Sequence, residues 1–142
     1  MARNEVVIDA LPARVFEVLS DATLYEDWVV GAQRVRGADP EWPERGSELQ
    51  HTSGVGPISV DDSTEVLESD PPRRLVLLAH LGPAGDAHVE LTLEQVGDGT
   101  RVVMVEEPAS PIGSKLKNPV SDGFVGGRNA LSLRRLKELA ES

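Results

Sequence analysis

The chain has 142 residues, a length typical of one domain, and contains no cysteine, which excludes disulfide bonds and thiolate metal sites. Its 24 acidic and 14 basic side chains give a formal net charge of −10 at pH 7, which repels phosphate backbones and anionic lipid. Nucleic-acid binding and membrane insertion are therefore disfavoured, and no stretch approaches the roughly 18 apolar residues of a membrane span. We expect a single domain over residues 1–142, without a signal peptide, that is a cytoplasmic monomer or homodimer.

The N-terminal part predicts one strand and two short helices. Residues 5–9 are a short β-rich run, and Pro12 is suited to begin the first helix. Asp21 can cap a second short helix that carries Tyr25 and Trp28. Two brief helices between a first strand and a run of later strands are typical of a plug over one end of a sheet.

Turn residues at hairpin spacing divide the middle of the chain into strands. The β-type segments are residues 33–37, 47–53, 58–69, 73–81, 86–96 and 100–107. None of the connections is long enough for a crossover helix, so we predict an antiparallel meander with one covered face. Together with the first strand this gives seven strands.

The C-terminal segment predicts a long helix, with Asn118 as N-cap, Pro119 at the first position and no further proline as far as Ala140. Its apolar residues fall on two sides: Val120, Phe124, Gly127 and Leu131 on one, and Leu133, Leu136 and Ala140 on the other. A helix that is apolar on two sides needs a broad partner. We therefore predict an α+β fold in which a curved seven-stranded antiparallel sheet surrounds this helix.

Five short segments resemble those of a known superfamily. They are LPARVFEVLSD (11–21), YEDW (25–28), ESDPPRRL (68–75), GTRV (99–102) and NALSLRRL (129–136). Together with the order of elements, they resemble the helix-grip superfamily, also called START-like, Bet v 1-like or SRPBCC, and in particular its bacterial polyketide cyclase/dehydrase members. The resemblance implies a cavity between sheet and helix that takes a small hydrophobic molecule, and no cofactor.

Strand alternation turns three ionisable side chains toward the concave face: His51, Asp62 and Glu106. A carboxyl in an apolar cavity has its ionisation disfavoured, which can prepare a proton donor or acceptor. These are the candidate catalytic residues. The alternative is that they lie at strand ends, on a solvated rim. Arg128 of the helix can hold a cavity carboxylate ionised or bind an acidic ligand.

A second group of residues is expected to contact the ligand. It consists of Tyr25, Trp28, Leu49, Val60, Met104, Phe124, Gly127, Arg128 and Leu131. Tyr25 and Trp28 can stack on a flat molecule, and the alternative is that they are core contacts of the plug. The histidines at positions 51, 80 and 88 lack metal-ligand spacing, so we expect no metal.

Three functions fit these features. An enzyme would perform aldol-type cyclisation or dehydration of an aromatic or polyketide-like substrate with cavity acid–base groups. A carrier or sensor would use the same pocket without catalysis, and a co-chaperone-type module would bind another protein. Polar residues clustered at one point favour the enzyme, an apolar lining favours the carrier, and a filled core with an exposed apolar patch favours the module.

Overall fold

Seven strands form one antiparallel sheet in the computed structural model, which describes residues 1–55, 57–80, 85–109 and 119–142. In chain order the elements are β1 (Ala2–Ile8), α1 (Pro12–Ser20), a 3₁₀ turn (Ala22–Leu24), α2 (Tyr25–Trp28), β2 (Ala32–Ala38), β3 (Glu48–Val55), β4 (Ile58–Asp70), β5 (Arg74–His80), β6 (Asp86–Val96), β7 (Gly99–Pro108) and α3 (Pro119–Glu141). The predicted α+β fold is confirmed: seven antiparallel strands, two short helices after the first strand and a long C-terminal helix.

The sheet is a meander from β2 to β7, with β1 added beside β7. In that last pair Asn4 lies opposite Met104. The first strand begins at Ala2 rather than at residue 5, because its pairing with β7 extends to the start of the chain. Register shifts in β2 and between Val66 and Glu68 of β4 mark bulges, which bend strands and help a sheet to curve. The predicted N-cap, Asn118, lies outside the described residues.

The core lies between the concave face of the sheet, α1 and the C-terminal half of α3. Alternation along β6 turns Val89, Leu91 and Leu93 inward, as predicted, and all of them are buried. In β7 the buried phase is Val102 and Met104, and it continues to a carboxylate, Glu106. None of the helices in the described part of the chain is long and apolar enough to cross a membrane.

The rotation of α3 corrects part of the predicted ligand surface. Leu131 is 41% exposed, and Gly127 faces open space, since a Cβ added there would meet no atom within 4 Å. Phe124 is 68% exposed. The helix buries one straight stripe instead: Asn129, Ser132, Leu133, Leu136 and Ala140. The first two members of that stripe are polar, so a count of apolar residues alone does not reveal it.

Hydrogen bonds attach α3 to the rest of the molecule along its length. The side chain of Asn4 donates to the carbonyl of Gly126 at 3.0 Å, and the backbone N–H of Val30 donates to the hydroxyl of Ser132 at 3.0 Å. At the other end, Arg14 of α1 donates to the carbonyl of Ala140 at 3.3 Å. The helix is therefore attached at Gly126, at its middle and near its C-terminal end.

Two leucines on α3 test this rotation. Leu136 is fully buried, so Leu136→Ala should lower the free energy of unfolding by about 2–5 kcal/mol through lost burial and a cavity. Leu131→Ala, on the exposed side of the same helix, should change it by less than about 0.5 kcal/mol. Urea denaturation of both variants measures the difference, and equal losses would mean that the helix is rotated differently.

Candidate functional site

A cavity of about 340 Å³ lies between the inner face of the sheet, α2 and the N-terminal half of α3. Its apolar wall includes Trp28, Val60, Leu77, Val89, Met104 and Phe124. Its polar wall includes Tyr25, His51, Ser53, Asp62, Thr64, Glu106, Arg128, Asn129 and Ser132. Among the described side chains of α3, the buried ones beside the cavity are polar (Asn129 and Ser132), and those from Leu133 onward include the apolar residues that fill the core.

Most of the residues that the sequence predicts for the site line this cavity. They are Tyr25, Trp28, His51, Val60, Asp62, Met104, Glu106, Phe124 and Arg128. Phe124 is mostly exposed and lies at the rim. Gly127 and Leu131 face away from the cavity, which corrects the expectation for both. Leu49 is also outside the lining, because core side chains enclose it completely.

The two polar residues of the β3–β4 hairpin are brought face to face. His51 lies directly opposite Asp62 in the register of the two strands, and both side chains point to the concave face. Ser53 and Thr64 are their diagonal neighbours on the same face, a position from which side chains interact. The sequence pattern does not single out Ser53 or Thr64, because small hydroxyl residues are common on both faces of strands.

Hydrogen bonds join His51, Ser53, Thr64 and Tyr25 into one network. The Nδ1 atom of His51 lies 2.9 Å from the Ser53 hydroxyl, and its Nε2 atom lies 2.9 Å from the Thr64 hydroxyl. Thr64 in turn lies 3.2 Å from the phenolic oxygen of Tyr25, and Asp62 is the diagonal neighbour of Ser53 on the same face. A buried imidazole is thus satisfied at both ring nitrogens.

The surroundings shift the pKa values of this network. Burial, helped by the positive charge of Arg36, lowers the pKa of His51 from 6.5 to about 4, so the imidazole is neutral at pH 7. Burial raises the pKa of Asp62, although the Ser53 hydrogen bond and Arg36 oppose this. Burial also raises the pKa of the Tyr25 phenol. The protonated forms of Asp62 and Tyr25 are therefore more favoured than they would be for the same side chains exposed to solvent.

The opposite wall carries an ion pair between β7 and α3. The Nη2 atom of Arg128 donates to both carboxylate oxygens of Glu106 at 2.7 Å, and the amide of Asn129 donates to one of them at 3.1 Å. Glu106 points inward as its strand phase predicts, but its oxygens are occupied by donors. We therefore regard it as the anchor of Arg128 rather than as a free acid–base group.

Aromatic rings cover the network from the side of α2. Tyr25 stacks on the imidazole of His51 with ring centroids 5.3 Å apart and an interplanar angle of 27°. Trp28 and Trp42 contact the Tyr25 ring edge-on, at 5.8 Å and 6.4 Å. Tyr25 and Trp28 are thus core contacts of the plug and also part of the cavity wall.

No group of three or more His, Asp or Glu side chains that could hold a metal ion occurs within the described ranges. The Nδ1 atom of His80 lies 3.0 Å from a carboxylate oxygen of Asp86, outside the cavity.

The curved sheet, the C-terminal helix and the cavity between them define a helix-grip protein. A family model described as "Polyketide cyclase / dehydrase and lipid transport" matches residues 2–141, and the chain belongs to this family. No curated protein matches the sequence.

Solved structures with the same fold cover nearly the whole chain. Protein CV1439 from Chromobacterium violaceum is 19% identical with a TM-score of 0.70, over 99% of this chain and 96% of that one. The Aha1 dimer from Colwellia psychrerythraea is 15% identical with a TM-score of 0.73, over 99% and 95%. DynU16, a protein of the dynemicin biosynthetic locus, is 17% identical with a TM-score of 0.73. The match covers 99% of this chain and 47% of the DynU16 chain. At these identities the likeness shows the fold alone.

The lowered pKa of His51 predicts a specific loss of stability in acid. Between about pH 6.5 and pH 4 the unfolded chain binds a proton at this imidazole and the folded protein does not, so falling pH favours unfolding. The contribution reaches about 3 kcal/mol at pH 4. His51→Gln should make the dependence of the free energy of unfolding on pH less steep in this range. Parallel pH profiles for wild type and His51→Gln, from urea denaturation, would contradict the assignment.

Proposed function

We propose that this protein binds a small, mainly apolar molecule, aromatic or polyketide-like, in the cavity between the sheet and α3. The observation that carries the proposal is an apolar cavity with two separate polar groups in its walls: the network around His51 and the pair of Arg128 and Glu106. Ligand sites are typically concave and mostly apolar, with a few polar groups that fix orientation, and about 300–1,000 Å³ in size. The family to which the chain belongs supports the same interpretation.

The polar network favours acid–base chemistry over simple carriage. Asp62 lines the cavity with a raised pKa, and it lies directly opposite His51 in the register of β3 and β4. A carboxyl group of this kind can give a proton to a leaving hydroxyl or take one from a carbon next to a carbonyl. Cyclisation or dehydration without a cofactor is the activity that these groups support best. An apolar carrier would need none of them, and each polar group in its cavity would disfavour an apolar ligand.

A second class that the sequence leaves open is a protein-interaction module of the co-chaperone type. Such a module would be expected to have a filled core and an exposed apolar patch. The open cavity favours the small-molecule site instead. We also propose a cytoplasmic location and a monomeric or homodimeric state, as expected from composition.

Two small-to-large substitutions test where an apolar molecule binds. Naphthalene is a suitable probe because it is neutral and is not repelled by a net charge of −10. Ala79 lines the cavity on β5, so Ala79→Leu should fill space and weaken naphthalene binding by about tenfold. Gly127→Leu, whose side chain enters open space on the outer side of α3, should change the affinity by less than about twofold. Fluorescence titration measures both values.

Circular dichroism and the unfolding midpoint serve as controls that each variant is folded. Naphthalene that binds equally well to wild type and Ala79→Leu occupies another site, which would overturn the proposal. Weaker binding to Gly127→Leu alone would place the site on the outer face of α3 and would overturn it as well.

A further inference from the structure

Two carboxyl groups line the cavity, and they differ in their partners. Glu106 accepts two hydrogen bonds from Arg128 at 2.7 Å and one from Asn129 at 3.1 Å. Asp62 is only 7% exposed, yet within the described residues it forms no ion pair, and the neighbouring Ser53 hydroxyl can give it one hydrogen at most. Because an ionised carboxylate has about four acceptor sites, most of the acceptor capacity of Asp62 is left for a bound molecule.

Arg36 has the strongest effect on Asp62 among the surrounding charges, but its hydrogen bonds go to other groups. Its Nη2 atom donates to the backbone carbonyls of Asp62 at 2.9 Å and His51 at 3.2 Å. Its Nε atom lies 3.6 Å from the carboxylate of Asp61, whose side chain is 70% exposed on the outer face. His80 of β5 adds a smaller effect of the same sign as Arg36. Arg36 therefore acts on the Asp62 carboxyl group through its charge, without pairing with it.

The described residues of the cavity wall carry one uncompensated negative charge when Asp62 is ionised. Arg128 and Glu106 cancel each other, and His51 is neutral at pH 7 because its pKa is lowered to about 4. Burial raises the pKa of Asp62, as expected for a carboxyl group whose charge lacks a close partner. A cationic group on the ligand would supply that partner and make the occupied cavity neutral.

We infer that Asp62 binds a protonated amine of the ligand, while the apolar wall of the cavity holds the rest of the molecule. The inference rests on the proposed function and narrows its ligand class to aromatic molecules that carry a basic amine. An ammonium group has three N–H donors, for which the carboxylate has open acceptor sites. Hydrogen bonds between two charged groups are also stronger than those between neutral groups.

Two further properties of the protein favour a cation in this cavity. Its wall includes the aromatic rings of Tyr25, Trp28 and Phe124, which can pack on an aromatic body and whose faces attract cations. The net charge of −10 also attracts cations to the surface and speeds their entry.

An acidic ligand, the alternative that Arg128 suggests, is disfavoured by the same arrangement. It would have to displace Glu106, which accepts two hydrogen bonds from Arg128 and one from Asn129. The displaced carboxylate would then be buried without a partner, which is costly. The ligand would also share the cavity with the carboxyl group of Asp62.

A charged and a neutral probe of the same shape test the inference. The amine of 1-naphthylmethylamine is protonated at about pH 7, as alkylamines are, and 1-ethylnaphthalene has a methyl group in its place. Wild type should bind the amine at least about tenfold more tightly than 1-ethylnaphthalene. Asp62→Asn keeps the shape of the side chain and removes its charge, so it should reduce this ratio by about tenfold. Fluorescence titration measures each affinity.

Asp61→Asn is the matched control, because it removes the same charge from the next residue, on the outer face of the sheet. It should change the ratio by less than about twofold, and 1-ethylnaphthalene should bind both variants as it binds wild type. Equal losses in the two variants would show that the amine responds only to overall charge, which would overturn the inference. Wild type that binds 1-ethylnaphthalene without preferring the amine would overturn it too. Wild type that binds neither probe would overturn the proposed function itself.

The ionisation of Asp62 provides a second readout. Side-chain carboxyl ¹³C shifts in labelled protein, assigned by comparison with Asp62→Asn, report the pKa of this group. Bound 1-naphthylmethylamine should lower that pKa, because a nearby ammonium favours the carboxylate. Bound 1-ethylnaphthalene should leave the pKa unchanged or raise it by excluding water. The charged groups of the protein are the same with both probes, so the difference isolates the ammonium. An Asp62 pKa that does not fall when the amine is bound would overturn the inference, even where both probes occupy the cavity.

Discussion

The ion pair between Arg128 and Glu106 is the contact on which the shape of the cavity depends. It joins α3 to β7 at 2.7 Å, with Asn129 as a third partner, at the point where the buried stripe of the helix changes from polar to apolar. A buried carboxylate is costly unless it is paired and hydrogen-bonded. Apolar residues in place of Arg128 and Asn129 would therefore leave Glu106 buried without a partner. Beyond it, Leu133 and Leu136 fill the core, and before it the cavity remains open.

The two polar groups of the cavity have different physical roles. The ion pair is saturated by its own partners and fixes one wall. The network on β3 and β4 is also satisfied, but its central imidazole is neutral and each of its links can reverse direction. Such a network can reorient its hydrogens without placing a positive charge on the buried imidazole, which would be costly in a low-dielectric site. Acid–base chemistry on a largely apolar molecule needs this combination.

Much of this arrangement is readable from the sequence, because alternation in strands is a strong signal. The inward position of His51, Asp62 and Glu106 follows from it directly. The pairing of His51 with Asp62 depends on the turn between β3 and β4: when Val55 pairs with Ile58, counting equally along both strands makes His51 and Asp62 partners. The sequence does not determine this pairing, because turn geometry is not fixed by residue type alone. The rotation of α3 did not follow, because its buried stripe begins with Asn129, which is polar and needs its partner on β7 to be buried.

Proton exchange into a bound ketone is the measurement that tests the central claim most directly. The protein is mixed with 2-tetralone in D₂O, and NMR follows the replacement of the hydrogens next to the carbonyl by deuterium. A cavity that exchanges protons with the ligand oxygen should accelerate this replacement, and Asp62→Asn should reduce the acceleration by about 10²–10⁴-fold while 2-tetralone still binds. If wild type binds 2-tetralone and leaves its exchange rate at the value in buffer, the cavity belongs to a carrier and the acid–base account is contradicted.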